Sequence, residues 1–170
     1  MRPDNCTFDD YQAWFQGECD TIVLRPGFSV VDPHIEAVND PAPPWTVIFA
    51  IIYDDGRYIR IYEHYRELSR KEGGGGRLKH LSYHYGPCGE ERDEDGFPVM
   101  EDRCILRIDI DLKSQRHAHY EGEDHIPEQR LVGLDFDTIT PFDFIRAVER
   151  HRTSQTPLPE ILGFEVKPAE

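Results

Sequence analysis

Residues 45–65 read Trp-Thr-Val-Ile-Phe-Ala-Ile-Ile-Tyr-Asp-Asp-Gly-Arg-Tyr-Ile-Arg-Ile-Tyr-Glu-His-Tyr. The first part, Trp45 to Tyr53, is almost wholly apolar and rich in β-branched residues, which suits a strand far better than a helix. Asp55-Gly56 then supplies the positive-φ turn chemistry of a tight hairpin. Tyr58 to Tyr65 alternates apolar with polar, the period of a strand buried on one side. A β-hairpin follows, and it commits the middle of the chain to an antiparallel sheet.

Outward from the hairpin the same period recurs. Leu78 to Tyr85 predicts a third strand, with Leu81, Tyr83 and Tyr85 on one side and His80, Ser82 and His84 on the other. The glycines at 73–76 lack the Lys-Ser/Thr of a phosphate loop and read as a flexible connector. Arg103 to Asp111 predicts a fourth strand, in which Cys104, Leu106, Ile108 and Ile110 face the core while Arg107, Asp109 and Asp111 are displayed. Ile126 to Asp135 adds a short fifth piece broken by Pro127 and Gly133. Thr140-Pro141 is a helix start, and the stripe of Phe144, Ile145 and Val148 predicts a helix over about 141–152. Thr7 caps a second helix over 7–16, with Gly17 as its stop. Pro26, Pro33, Pro41, Pro43 and Pro44 then mark an extended arm. The expected fold is α+β, an antiparallel sheet of four to five strands with the C-terminal helix on one face and a short N-terminal helix at an edge. Its parts are a helix and Pro-rich arm over 1–44, a core over 45–152 and a tail over 153–170.

The chain has 170 residues and a net charge of −14, enough length for one real core and too acidic for an unselective grip on nucleic acid. The charge is uneven. Residues 57–80 are net basic, with Arg57, Arg60, Arg66 and Arg77 among them, whereas residues 90–102 carry seven carboxylates against Arg92. No apolar run approaches the roughly 20 residues that span a bilayer, and no signal sequence is visible, so a cytoplasmic protein with no membrane partner is expected. Cys6, Cys19, Cys88 and Cys104 are too scattered for a disulfide framework and read as reduced thiols.

Chemistry concentrates where Arg107, Asp109, Arg116, His117, His119 and Tyr120 follow one another closely. His117 and His119, at i and i+2, put two imidazoles on one side of an extended segment, and with His125, Asp109 or His84 they would make a metal set. The spacings of the strong zinc motifs are absent, so no metal and no cofactor are expected. Acid–base chemistry is the alternative use. A histidine takes the proton of a ribose 2′-hydroxyl, and arginines hold the phosphate. His117, His119 and Asp109 are then the catalytic group, and Arg107, Arg116, His84 and Tyr120 the substrate-binding group.

The order of four stretches carries a resemblance: Gly-Arg-Leu-Lys-His-Leu-Ser-Tyr-His-Tyr-Gly at 76–86, Ile-Leu-Arg-Ile-Asp at 105–109, Lys-x-x-x-His-Ala-His-Tyr-x-Gly at 113–122, and Phe-Asp-x-Ile-Thr-Pro-x-Asp-Phe-Ile at 136–145. Over about residues 45–152 the chain resembles the TumE family of toxin–antitoxin proteins. That family's strand tends to read Tyr-Asp-Asn and its turn His-Arg-His, so Asp109, His117 and His119 carry over. Ile110 and Ala118 stand where the family has Asn and Arg, with Arg116 as a substitute guanidinium. The resemblance implies a toxin paired with a cognate antitoxin or another protein partner; joined to the acid–base reading of the residues, the expected activity is that of a metal-independent ribonuclease. A homodimer is a further arrangement to expect. The competing expectation, from charge, is a non-catalytic acidic module that binds a basic protein.

Overall fold

The computed structural model describes residues 7–22, 28–37, 45–67, 75–99, 103–111, 113 and 115–169. Seven antiparallel strands form one sheet in the order of the chain, a simple meander: β1 (Phe28–Ala37), β2 (Trp45–Tyr53), β3 (Arg57–Glu67), β4 (Gly76–Pro87), β5 (Leu106–Ile110), β6 (Arg116–Tyr120) and β7 (Glu123–Pro127). The hairpin of β2 and β3 pairs Trp45 with Tyr65 and Ile52 with Tyr58, as the alternation requires. The fold is α+β, with more strands than the four to five expected.

The difference lies at both flanks of the hairpin. Part of the expected arm is β1, which pairs Phe28 with Tyr53 and Ala37 with Trp45, so the sheet begins before Trp45. Pro33 lies within the register shift between Val31 and His34, a position where a missing N–H costs no ladder bond. At the other flank the His-x-His segment is not a turn but β6. The turn lies at Lys113, whose backbone N–H the Asp111 carboxylate accepts at 2.8 Å together with that of Gln115 at 2.9 Å.

Helix α1 (Phe8–Ile22) starts where Thr7 and Asp10 cap one another reciprocally. It runs through Gly17 instead of stopping there, and one turn further on buries Cys19 in line with Tyr11 and Phe15. A mid-helix glycine costs only about 1 kcal/mol, which that burial offsets. Helix α2 (Pro141–Ser154) has the same reciprocal cap between Thr140 and Asp143. The two helices share one face of the sheet: Phe15 meets Phe49 at 5.7 Å and Phe142 at 5.1 Å, and Tyr83 meets Phe144 at 5.7 Å. The tail is also built in. Helix α3 (Leu158–Leu162) buries Leu158, and β9 (Glu165–Val166) pairs with β8 (Leu131–Val132).

One core position is a carboxylate. Glu63 is fully buried among Ile61, Tyr65 and Tyr83, which requires hydrogen-bond donors in place of water. The hydroxyl of Tyr11 donates to it at 2.5 Å and that of Tyr65 at 3.0 Å, and that of Tyr83 donates to its other oxygen. Cys19, Cys88 and Cys104 are free thiols; Cys6 lies outside the described residues.

Candidate active site

The sheet face opposite the helices is polar because β3 and β4 send their even-numbered side chains there and β5 and β6 their odd-numbered ones. Register does the rest. Asp109 lies between Ser82 and His117, and Arg107 between His84 and His119. Four of the expected site residues are thereby brought together: Asp109 Oδ2 is 3.5 Å from Nε2 of His117, 3.5 Å from Nε2 of His119 and 2.7 Å from Nε of Arg107. The face is less open than the alternation implies, since Asp109 is 3% exposed, His117 7% and His119 8%. Arg107 remains about a third exposed in its side chain.

A third imidazole joins through an irregularity. Glu123 pairs with Tyr120 and Ile126 with Ala118, so three steps on β7 match two on β6. This bulge sets both Asp124 and His125 opposite His119, and bulges re-aim side chains in this way. Asp124 Oδ1 stands 3.1 Å from His119 Nδ1. His125 adopts a left-handed backbone (φ 52°) and brings its ring within 4.8 Å of those of His117 and His119. Sequence pointed to His125 only as one of three further ligands, because its alignment with the pair depends on the extra residue.

Electrostatics separates the two central imidazoles. Burial pushes His117 below the ordinary histidine value, with His119 and His125 adding to the effect against the pull of Asp109. The Asp109 carboxylate, 3.5 Å from its Nε2, pushes His119 above it, against burial and with help from Asp124. Asp109 is held below the usual carboxylate range: burial alone would raise it, and His119 and Arg107 more than reverse that. One imidazole is therefore disposed to accept a proton and the other to give one, the pattern that assigns base and acid.

Three expected binders are elsewhere. Arg116 and Tyr120 share the other face of β6 with Ala118. Arg116 is tied to Asp137 at 2.6 Å and Glu128 at 3.2 Å, and the Tyr120 hydroxyl donates to Glu121. Strand alternation makes that outcome unavoidable once residues 116–120 are extended. His84 has the right parity but is fully buried, stacked on Tyr58 at 5.0 Å. Gly86 lets the chain at 103–104 press onto it; a Cβ there would lie 2.9 Å from the Arg103 carbonyl oxygen and 3.0 Å from His84 Nε2. His84 thus cannot touch a substrate.

His117, His119 and His125 are also the described group whose ring nitrogens could hold a metal, all within 4.8 Å of one another. A tetrahedral ion with metal–nitrogen bonds of about 2.0–2.1 Å needs nitrogens about 3.3 Å apart, so the three rings would have to draw in. The guanidinium of Arg107 already neutralises Asp109 at the centre. The chain matches no protein-family model, no curated protein and no solved structure. No helix among the described residues is long and apolar enough to cross a membrane.

Proposed function

We propose that the chain is a toxin-like component of a prokaryotic toxin–antitoxin or defence system that cleaves RNA by metal-independent acid–base chemistry. The observation that carries this reading is Asp109, whose Oδ2 is shared by His117, His119 and Arg107, together with the TumE-like order of motifs. In the reaction His117 takes the proton of a ribose 2′-hydroxyl and the freed oxygen attacks the adjacent phosphorus. The bond to the 5′-oxygen breaks, and His119 delivers its proton to that leaving oxygen. Arg107 holds the phosphate and steadies its added charge. The products are a 2′,3′-cyclic phosphate and a 5′-hydroxyl end, so atoms and protons balance without a cofactor.

The test is incubation of the purified chain with single-stranded RNA in the presence of a chelator. Cleavage that survives chelation, leaves cyclic phosphate ends and disappears in His117→Ala and His119→Ala supports the reading. Cleavage that stops with the chelator and returns with one equivalent of zinc or manganese transfers the site to a three-histidine metal centre instead.

A second reading rests on the charge. The net −14 and the acidic loop, where Asp93 pairs with Arg60 at 3.1 Å, suit a module that binds a basic protein. A chain that neither cleaves RNA nor slows growth, yet captures one protein in a salt-dependent way, decides for it.

A further inference from the structure

A groove of about 320 Å³ runs beside the imidazole pair on the polar face, between β3 and β5. Arg107 and Asp109 form one wall, and Arg60, Tyr62, His80 and Ser82 are among the other lining residues. That wall is made of residues of the candidate active site, and whatever fills the groove touches Arg107 while Arg107 holds the reacting group. Its size is at the small end of ligand pockets, which suits one flipped-out nucleoside and excludes a duplex.

The lining has the chemistry of base recognition. Tyr62 is half-buried and lines the groove. His80 is held in place because its Nδ1 lies 2.8 Å from the carbonyl oxygen of Asp111; a carbonyl only accepts, so Nδ1 carries a hydrogen. The His64 ring stacks behind His80 at 5.6 Å and 19°, backing it as a flat surface. Arg60 sits at the far end, its Nη1 near the Pro98 carbonyl oxygen at 3.3 Å and its Nη2 on Asp93. Single-stranded RNA is read in this way, by splayed bases stacked on aromatic, histidine or guanidinium planes.

We propose that this groove is the subsite for the nucleoside next to the scissile phosphate of a single-stranded RNA, with Tyr62 and His80 contacting its base. The identity of the ligand rests on the RNA-directed reading above. The placement is economical: the base is held on β3 and β4, the phosphate falls over Arg107 on β5, and the imidazoles of β6 stand beyond it, neighbouring strands being about 4.8 Å apart.

The test uses the full chain and a single-stranded hexanucleotide carrying 2′-O-methyl groups, which has no 2′-hydroxyl to react and reports binding alone. Tyr62→Ala is expected to weaken binding by at least about fivefold, the lower bound for loss of one base stack. Tyr62→Phe retains binding, and His80→Ala weakens it, with thermal unfolding confirming that each variant is folded. Wild-type chain that does not bind the hexanucleotide, or Tyr62→Ala and His80→Ala chains that bind it as well as wild type, overturn the subsite even where RNA cleavage is observed. Groove-dependent binding in a chain that leaves ordinary RNA intact overturns the catalytic reading and keeps the subsite.

Discussion

The ring of His125 lies 4.8 Å from that of His117 and within 30° of parallel to it, although the two residues belong to different strands and His125 is one residue out of step. The bulge and the left-handed φ of 52° are what put it there, and that backbone costs a non-glycine residue about 1–2 kcal/mol. Strain of this kind persists where the surroundings hold it. His125→Gly is therefore expected to leave stability unchanged or raise it by up to about 1 kcal/mol in urea titration, because glycine releases the strain while losing some chain entropy. It should slow RNA cleavage far less than His117→Ala or His119→Ala, each of which removes a proton-transfer group worth about 10²–10⁴ in rate. A marked loss of stability in His125→Gly would show that the ring is there for packing.

The opposite shifts of His117 and His119 fix the form of the pH dependence. A histidine held below its ordinary 6.5 stays neutral until the pH falls under that value, and one held above it stays protonated until the pH rises past it. Activity should fall on the acid side as His117 gains a proton and on the alkaline side as His119 loses one, with a maximum near neutrality. The two steps belong to the interacting group as a whole, which proton NMR of the imidazole C2–H signals resolves. Asp109→Asn removes the largest cause of the His119 shift, so the upper step should move to lower pH. An upper step that stays in place would remove Asp109 from its orienting role.

Two glycines answer the same substitution with opposite signs. A Cβ on Gly76 would lie 1.8 Å from the Trp45 ring. Trp45 is fully buried and stacked on Tyr65 at 4.9 Å, so it has nowhere to retreat. Gly76→Ala should destabilise by about 1–3 kcal/mol, the cost of overpacking. Gly17 lies inside α1 with nothing among the described residues within 4 Å of its Cβ position, and Gly17→Ala should stabilise by about 1 kcal/mol. Equal midpoints for the two variants in urea titration would contradict both accounts.

What the sequence reveals here is parity, and what it hides is packing. Alternation alone places Leu81, Tyr83, Leu106 and Ile108 in the core and brings Arg107 and Asp109 to the other face. Carried one strand further it also separates His117 and His119 from Arg116, Ala118 and Tyr120, but only once 116–120 is recognised as a strand, and its five residues are too few to show that. The pairing of β8 with β9 involves two residues each and leaves no periodic signal. Glu63 sits at an apolar position of β3, and only the arrival of Tyr11 from α1 and Tyr83 from β4 explains it. His125 depends on an inserted residue and the burial of His84 on a bare Gly86, neither of which has a pattern to read.

His84 offers the clearest coupling between this packing and pH. Its ring is fully buried, and neither nitrogen has a hydrogen-bond partner among the described residues. Burial first, and then the Arg107 charge with a smaller push from Arg60 and His119, lowers it to about 4, with Asp109 opposing. In the unfolded chain the same imidazole titrates near 6.5. Between these values the unfolded state binds a proton that the native state refuses, so the native state is favoured fully above 6.5 and loses that advantage as the pH falls towards 4. The loss from this one residue is roughly 3 kcal/mol. His117, also lowered, adds to it; His119, raised, contributes in the opposite sense. Depressed carboxylates such as Asp143 act lower, below 3.8. Urea titrations at pH 7 and pH 4 should therefore show a large drop in wild-type stability and a drop smaller by roughly 3 kcal/mol in His84→Phe, whatever the absolute stability of that variant. Parallel pH dependences in the two chains would mean that His84 is protonated as readily in the fold as outside it.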